Sequence, residues 1–121
     1  MQKESCSQFE SALFRHIAEA TLDRALQEQL QSVQVTRRNY TGVGCYSELV
    51  SSDSAPATQE PYGSRGPLQG PDFSSACVKY GGGTLLWFKN GRVHSLEIYA
   101  YGDFFPENHA DLVPFSLVDG P

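Results

Sequence analysis

The dipeptide Asn90-Gly91 stands between two β-rich segments, "TLLWF" and "VHSLEIYAY", and constrains the fold more than any other feature of the chain. Both residue types tolerate the positive φ of a tight two-residue turn, so the pair predicts a β-hairpin. The turn also fixes a register of cross-strand neighbours, which runs outward from the tip as Lys89 with Arg92, Phe88 with Val93, Trp87 with His94, Leu86 with Ser95 and Leu85 with Leu96.

In this register both faces of the hairpin carry apolar or aromatic side chains. One face has Leu85, Trp87, His94, Leu96, Ile98 and Ala100, and the other has Leu86, Phe88, Val93, Ser95, Glu97, Tyr99 and Tyr101. A sheet face open to water is normally polar, so we expect each face to be covered. The N-terminal helices can cover one face, which leaves the long loop, the C-terminal tail or a second copy of the protein for the other. An aromatic face left uncovered is an interaction surface, and we expect Phe88, Tyr99 and Tyr101 to form it in a homodimer.

The N-terminal segment is typical of helices. Ser7 followed by Glu10 is a capping-box pattern, and apolar residues then recur at helical spacing at Phe9, Leu13, Ile17 and Ala20. From Thr21 the apolar phase moves to Leu22, Ala25, Leu26 and Leu30. This displacement predicts a helix pair that breaks near Ala20, or one bent helix.

The segment "SVQVTRRNYTGVGCYSELV" shows the two-residue period of a strand. With an unbroken phase, one face has Val33, Val35, Val43, Cys45 and Leu49, and the other has Thr36, Tyr40, Gly42, Gly44, Tyr46 and Glu48. Gly42 and Gly44 then leave a gap between Tyr40 and Tyr46, which is a candidate groove for a ligand or for a partner's chain. The alternative is a bulge, a bend or a tight turn that splits the segment into a hairpin.

Residues 51–75 carry four prolines and three glycines without a sustained period. We interpret them as a long loop inside a single domain that spans residues 1–121, because a chain of this length fits one hydrophobic core. Tyr62, Leu68 and Phe73 are the residues expected to hold the loop against the body of the protein.

Composition excludes several classes of function. The formal net charge is -5, and only Arg37 and Arg38 stand together as a basic pair, so we expect no nucleic-acid partner. The chain has no apolar run long enough for a membrane span and no signal-peptide pattern in its first residues, which predicts a cytoplasmic protein. Three cysteines without a C-x-x-C pair are expected to be reduced thiols, with Cys45 and Cys77 as small buried hydrophobes.

No motif in the chain predicts catalysis, a metal or a cofactor. Gly81-Gly82-Gly83 precede a strand rather than the helix that a phosphate loop requires, so they indicate a flexible turn or bulge. The histidines lack the spacing of a metal site, and His94 is interpreted as a packed or edge residue. Cys45 in "GVGCYS" has neither the G-x-S-x-G pattern nor a following helix, which favours a structural thiol over a nucleophile.

The segments "TGVGCYSEL" and "LLWFKNGRVHSLEIYAYGDFFP" resemble a group of short bacterial proteins of unassigned function. Members of the group join an N-terminal helix to a strand with T-G-V-G plus an aromatic residue, and end in a hairpin that closes on Y-G-[DE] and a proline. The resemblance covers residues 22–106 without the long loop, and it departs at Cys45, where an aromatic residue is expected. It implies a compact bacterial α+β domain and identifies no site residue.

Together these patterns predict an α+β fold in which a helix or bent helix pair packs on an antiparallel sheet of about four strands, with a long Pro/Gly-rich loop. The expected function is non-catalytic protein interaction, with homodimerisation through Phe88, Tyr99 and Tyr101. An immunity or accessory protein for a basic partner is its concrete form, because the chain is small and acidic. The alternative is a small-molecule-binding protein or minor enzyme with a site over Gly42 and Gly44, lined by Tyr40, Tyr46 and His94.

Overall fold

The computed structural model describes residues 6–102 and 104–118. Two helices lie against one face of an antiparallel sheet of seven strands. The elements are α1 (Gln8–Ala20), α2 (Arg24–Gln31), β1 (Gln34–Tyr40), β2 (Gly44–Val50), β3 (Leu68–Gln69), β4 (Asp72–Ser75), β5 (Val78–Lys89), β6 (Arg92–Ala100) and β7 (Phe115–Val118). The α+β class is therefore confirmed, whereas the expected strand number of about four is too low. We call the face toward the helices the inner face and the opposite one the outer face.

Both helix predictions are confirmed. Ser7 caps α1 in a capping box, since its hydroxyl accepts the Glu10 N–H while the Glu10 carboxylate accepts the Ser7 N–H. The helix ends at Ala20, as the shift of apolar phase predicts, and Asp23 caps α2 by accepting the N–H groups of Ala25 and Leu26. Neither described helix has the length and apolar character that crossing a bilayer would demand.

The sheet runs in the order β1-β2-β6-β5-β4-β7, and β3 pairs with β5. The strands that sequence reasoning missed, β3, β4 and β7, are only two to four residues long. Such short segments show no measurable two-residue period, and β3 and β4 also lie within the proline-rich loop. Strands β3 and β4 form because the long strand β5 offers them an edge to pair with, and β7 pairs in turn with β4.

The hairpin of β5 and β6 keeps the predicted register only at its tip. Lys89 pairs with Arg92 and Phe88 with Val93, but Trp87 then pairs with Ser95, so His94 is an extra residue in a β-bulge. A bulge reverses the side-chain alternation of the bulged strand beyond it. The predicted faces are therefore wrong: Leu86, Phe88, Val93, Leu96 and Ile98 face the inner side, while Leu85, Trp87, Ser95, Glu97, Tyr99 and Tyr101 face the outer side.

The predicted face pattern of the segment that contains β1 and β2 is only partly confirmed. A turn over residues 41–43 separates the two strands, and Tyr40 pairs with Cys45, whose side chain is buried. The alternative of a tight turn that splits the segment into a hairpin is thus confirmed. Val35, Cys45 and Leu49 face the core as expected, but Val43 is exposed in the turn, and Tyr40 and Tyr46 lie on opposite faces.

The long loop lies on the inner side and is ordered by the residues that were expected to hold it. Phe73 is buried, and Tyr62 and Leu68 pack against the core. The hydroxyls of Thr58 and Tyr62 both donate hydrogen bonds to Asp23 at the start of α2. The loop consequently closes over the end of the hairpin on the helix side.

The tail lies on the same side as the loop. Phe105, His109 and Leu112 are buried, and the rings of Phe105 and His109 lie 6.0 Å apart. Phe115 of β7 contacts Phe9 of α1, with ring centroids 5.0 Å apart. Asp103, part of the Y-G-[DE] motif, lies outside the described residues. Every described covering element thus packs on the inner face, and none covers the outer face.

Gln29 is the buried polar side chain that joins α2 to the hairpin tip and the loop. Its amide nitrogen donates to the carbonyl oxygens of Pro56 and Gly91 at 2.9 and 3.0 Å, and its amide oxygen accepts the Val93 N–H at 2.8 Å. The Val93 N–H is buried and depends on the Gln29 oxygen as its acceptor, whereas the Gly91 carbonyl also accepts the Thr58 N–H.

Replacement of Gln29 by alanine should lower the free energy of unfolding by about 2 kcal/mol, because the buried Val93 N–H loses its acceptor and two carbonyls lose one donor each. Urea denaturation at neutral pH measures the loss. The matched control is Gln31→Ala, an exposed residue of the same helix, for which we expect a change below about 0.5 kcal/mol. Equal losses for the two variants would contradict the proposed role of Gln29.

Candidate functional site

The outer face is a layer of half-exposed aromatic and charged side chains from the four adjoining strands β1, β2, β6 and β5 and from β4. Tyr46 is 40% exposed and Tyr101 is 42% exposed. The outward orientation of these side chains follows from strand alternation, since the adjacent residues along each strand point to the inner face. They are Arg37, Asn39, Tyr46, Glu48, Asp72, Leu85, Trp87, Ser95, Glu97, Tyr99 and Tyr101.

Glu97 lies at the centre of this layer. It is the cross-strand partner of Tyr46 on β2 and of Leu85 on β5. Its carboxylate accepts a hydrogen bond from the Trp87 indole nitrogen at 2.9 Å, and Tyr46 lies directly opposite it on β2. Partial burial and the adjacent Glu97 carboxylate both raise the pKa of the Tyr46 hydroxyl.

A second carboxylate on this face is arranged in the same way. The Tyr101 hydroxyl donates to Asp72 at 2.9 Å, and the rings of Tyr99 and Tyr101 pack edge to face with centroids 5.7 Å apart. Burial and the hydrogen bond to Asp72 raise the pKa of Tyr101 to about 12. Both acidic groups of this part of the face are thus held by aromatic donors.

The triple glycine contributes space to both faces of β5. A Cβ on Gly83 would lie 2.5 Å from the Tyr99 hydroxyl and 2.8 Å from the Tyr101 hydroxyl, so the absent side chain lets both tyrosines lie across β5 toward Asp72. On the inner face, a Cβ on Gly82 would lie 2.5 Å from the Phe73 ring. Gly81 has a φ of +68° where the pairing of β5 with β4 is irregular, which agrees with the predicted turn or bulge. Gly82 and Gly83 have the additional role of leaving space for aromatic rings.

Among the described residues, only one of the three outer-face carboxylates Glu48, Asp72 and Glu97 has a cation within 4.0 Å. Glu48 accepts from Asn39 at 2.9 Å and lies 3.8 Å from the Arg37 guanidinium. For Glu97 and Asp72, no Lys, Arg or His nitrogen of the described residues lies within 4.0 Å. The carboxylates are therefore oriented by neutral donors and keep their charge uncompensated at the surface.

The predicted site residues are only partly brought together. Tyr46, Tyr99 and Tyr101 share the outer face, as the interaction hypothesis requires. Phe88 does not join them, because the bulge at His94 places it on the inner face, where it packs 4.9 Å from the Tyr62 ring. Tyr40 also lies on the inner side, with its ring 6.0 Å from that of His109.

The predicted gap over Gly42 and Gly44 is not formed. A Cβ on Gly44 would lie 2.2 Å from the Ile98 carbonyl oxygen, so the backbone of β6 fills the space. Gly42 has a φ of +90° and lies in the turn between β1 and β2, which explains the need for glycine there. His94 is exposed in its bulge near the other end of β6 and cannot line the same site.

Sequence reasoning missed a buried polar network on the inner face. The fully buried Glu10 carboxylate accepts from Arg38 at 2.6 and 3.0 Å and from the Ser47 hydroxyl at 2.5 Å. Its other neighbour is the His109 ring, whose Nδ1 lies 3.9 Å away. The capping-box pattern locates Glu10 in the sequence, but the ion pair with Arg38 depends on tertiary packing.

His109 and Ser7 do not form a nucleophile and base pair. The Ser7 hydroxyl lies 2.8 Å from His109 Nδ1, the same nitrogen that faces Glu10, whereas a catalytic triad uses opposite ring nitrogens for the acid and the nucleophile. His109 Nε2 is buried without a hydrogen-bond partner. Burial lowers the pKa of His109, although the Glu10 charge raises it in part, so the ring is neutral at pH 7. The cluster therefore fastens the tail to the start of α1.

The thiols are in the reduced form, and Cys45 is buried. Burial raises the pKa of Cys45 to about 11, which agrees with the predicted structural role and leaves almost no thiolate at neutral pH. Cys77, expected to be buried as well, is half-buried. Within residues 6–102 and 104–118, no group of three or more His, Cys, Asp or Glu side chains has a metal-binding arrangement.

Comparisons with family models, with curated proteins and with solved structures found no match for this chain.

Replacement of Glu10 by glutamine should lower the free energy of unfolding by about 3 kcal/mol, because the largely buried Arg38 guanidinium loses its counter-charge. Chemical denaturation measures the loss. The control is Glu48→Gln, which removes the exposed pair with Arg37 and should cost less than about 1 kcal/mol. A loss at Glu10 no greater than at Glu48 would show that the buried pair does not stabilise the fold.

The same network should make stability depend on acid pH. Burial raises the pKa of the Glu10 carboxyl, but the hydrogen bonds from Arg38, Ser47 and Ser7 outweigh burial and hold its pKa below the usual value. The stabilisation by Glu10 is therefore complete above the ordinary value of about 4.5 and is lost as the pH falls through the lower folded-state pKa.

Urea titrations between pH 7 and pH 3 measure this dependence. The wild-type protein should lose stability below about pH 4.5 more steeply than Glu10→Gln, because the variant has no carboxyl to protonate at this position. If the free energy of unfolding falls equally with pH in the two proteins, the loss of stability at acid pH does not come from Glu10.

Proposed function

We propose that this protein is a non-catalytic interaction protein that binds another protein through its outer face. The observation that carries the proposal is the one-sided cover of the sheet: the helices, the loop and the tail all pack on the inner face. The outer face keeps Tyr46, Trp87, Tyr99 and Tyr101 beside water. Aromatic residues of this kind are enriched at the centres of protein interfaces.

The outer face has two candidate occupants, a second copy of the chain and a basic partner. A two-fold dimer through this face would bring two copies of the same surface together, and only residues near the two-fold axis would meet their own copies. Among the described residues, Glu97 and Asp72 have no cation of their own chain within 4.0 Å. A basic partner supplies that positive charge, and we favour it over the homodimer because the chain has a net charge of -5.

An immunity or accessory protein that occupies a basic partner is the concrete form of this proposal. The three free cysteines favour a reducing compartment, and we include the cytoplasm in the proposal on that ground. The alternative of a small-molecule site over Gly42 and Gly44 loses its support, because the β6 backbone occupies the space at Gly44.

Site-specific photocrosslinking in the source cell tests the proposal. A photoreactive benzoyl-phenylalanine in place of Tyr101 reports on the outer face, and the same residue in place of Glu28, exposed on α2, reports on the helix side. We expect a discrete crosslinked product from position 101 and none from position 28. The mass of the product identifies its source, since a doubled mass of 13.3 kDa indicates self-association and any other mass indicates a different partner.

Light scattering of the purified protein over a tenfold concentration range provides the second measurement. A monomer throughout the range, together with the crosslink from position 101, supports a partner of another sequence. Equal crosslinking from both positions, or none from position 101, would contradict an interaction specific to the outer face.

A further inference from the structure

Glu97 is a half-buried carboxylate at the centre of the outer face. It accepts one hydrogen bond, from the Trp87 indole, and no described cation lies within 4.0 Å of it. A carboxylate has about four acceptor positions, and this donor occupies one of them. The group is therefore oriented by Trp87 and keeps unused acceptor positions.

The surroundings of Glu97 are aromatic. Trp87 and Tyr46 flank it on the neighbouring strands, and Tyr99 follows it on the same face of β6. Aromatic faces attract cations, most strongly when the cation is weakly hydrated and planar. A guanidinium group meets both conditions, and it also donates paired hydrogen bonds to a carboxylate.

Asp72 provides a second acidic position on the face. It accepts from Tyr101, whose ring packs on Tyr99, the residue that follows Glu97 on the same face of β6. Asp72 lies on β4 and Glu97 on β6, with β5 between them, so their strands are about 9.5 Å apart. A partner with more than one basic side chain can therefore contact the two carboxylates separately.

We propose that the outer face recognises arginine side chains of a basic partner protein, with Glu97 as the carboxylate that pairs with the guanidinium and Tyr46, Trp87 and Tyr99 as its aromatic surroundings. The inference rests on the proposed function and adds the chemistry of the partner. Asp72 with Tyr99 and Tyr101 forms a second position, which receives another arginine of the same partner.

The experiment uses the single tryptophan of the chain as a reporter, since Trp87 contacts Glu97 directly. The probe is the acetylated and amidated pentapeptide Ser-Arg-Ser-Arg-Ser, titrated into the full-length protein at low salt. We expect a saturable change in Trp87 fluorescence. Counterpart peptides with lysine or with citrulline in place of arginine should bind at least fivefold more weakly, because lysine lacks the planar donor pair and citrulline lacks the charge.

Variants locate the binding site. Glu97→Gln should weaken binding of the arginine peptide at least fivefold, while far-UV circular dichroism stays unchanged because glutamine retains an acceptor for Trp87. The matched control is Glu48→Gln, on the same face but already beside Arg37, for which we expect less than a twofold change. A fluorescence change that the Glu97 variant does not reduce, or the absence of a saturable change, would overturn the proposal.

The outcomes also separate this inference from the proposed function. A crosslinked partner at position 101 with no arginine-dependent signal would leave the interaction surface in place and remove arginine as its ligand. Binding that is equal for the arginine and lysine peptides would likewise overturn guanidinium recognition and assign the face a general affinity for basic chains.

Discussion

The buried carboxylate of Glu10 holds the covering layer on one side of the sheet. It joins the start of α1 to β1 through Arg38, to β2 through Ser47 and, across a longer distance, to His109 of the tail. A buried charge is costly unless each of its acceptor positions is used. Because the groups that satisfy Glu10 come from separate parts of the chain, the helix, the sheet and the tail meet at one point on the inner face.

The composition of the outer face depends on a single inserted residue. The bulge at His94 reverses the alternation of β6 relative to the tip of the hairpin, so that Leu96 and Ile98 enter the core and Glu97 and Tyr99 face outward. Without the bulge, the same strand would point its carboxylate into the helix layer. The core and the exposed acidic and aromatic layer thus have the same geometric origin.

Sequence reasoning succeeded where one local pattern determines the structure. The capping box located the start of α1, and Asn90-Gly91 located the hairpin and its first two pairs. It failed where contacts between distant parts of the chain determine the structure. Nothing in "RVHSLE" marks His94 as a bulge. The short strand β7 forms because β4 offers it an edge to pair with. Tyr46, Tyr99 and Tyr101, predicted as binding residues, lie together on the outer face, whereas the predicted register put Glu97 and Trp87 on opposite faces.

The outer face differs from an ordinary solvated sheet face in how its acids are held. A carboxylate that only improves solubility is best placed in water or beside a cation, as Glu48 is beside Arg37. Glu97 and Asp72 are instead directed by an indole and a phenol. Such donors fix the position of the charge without neutralising it, and they surround it with surface that water solvates poorly. A cation with a flat apolar face gains from both features at once.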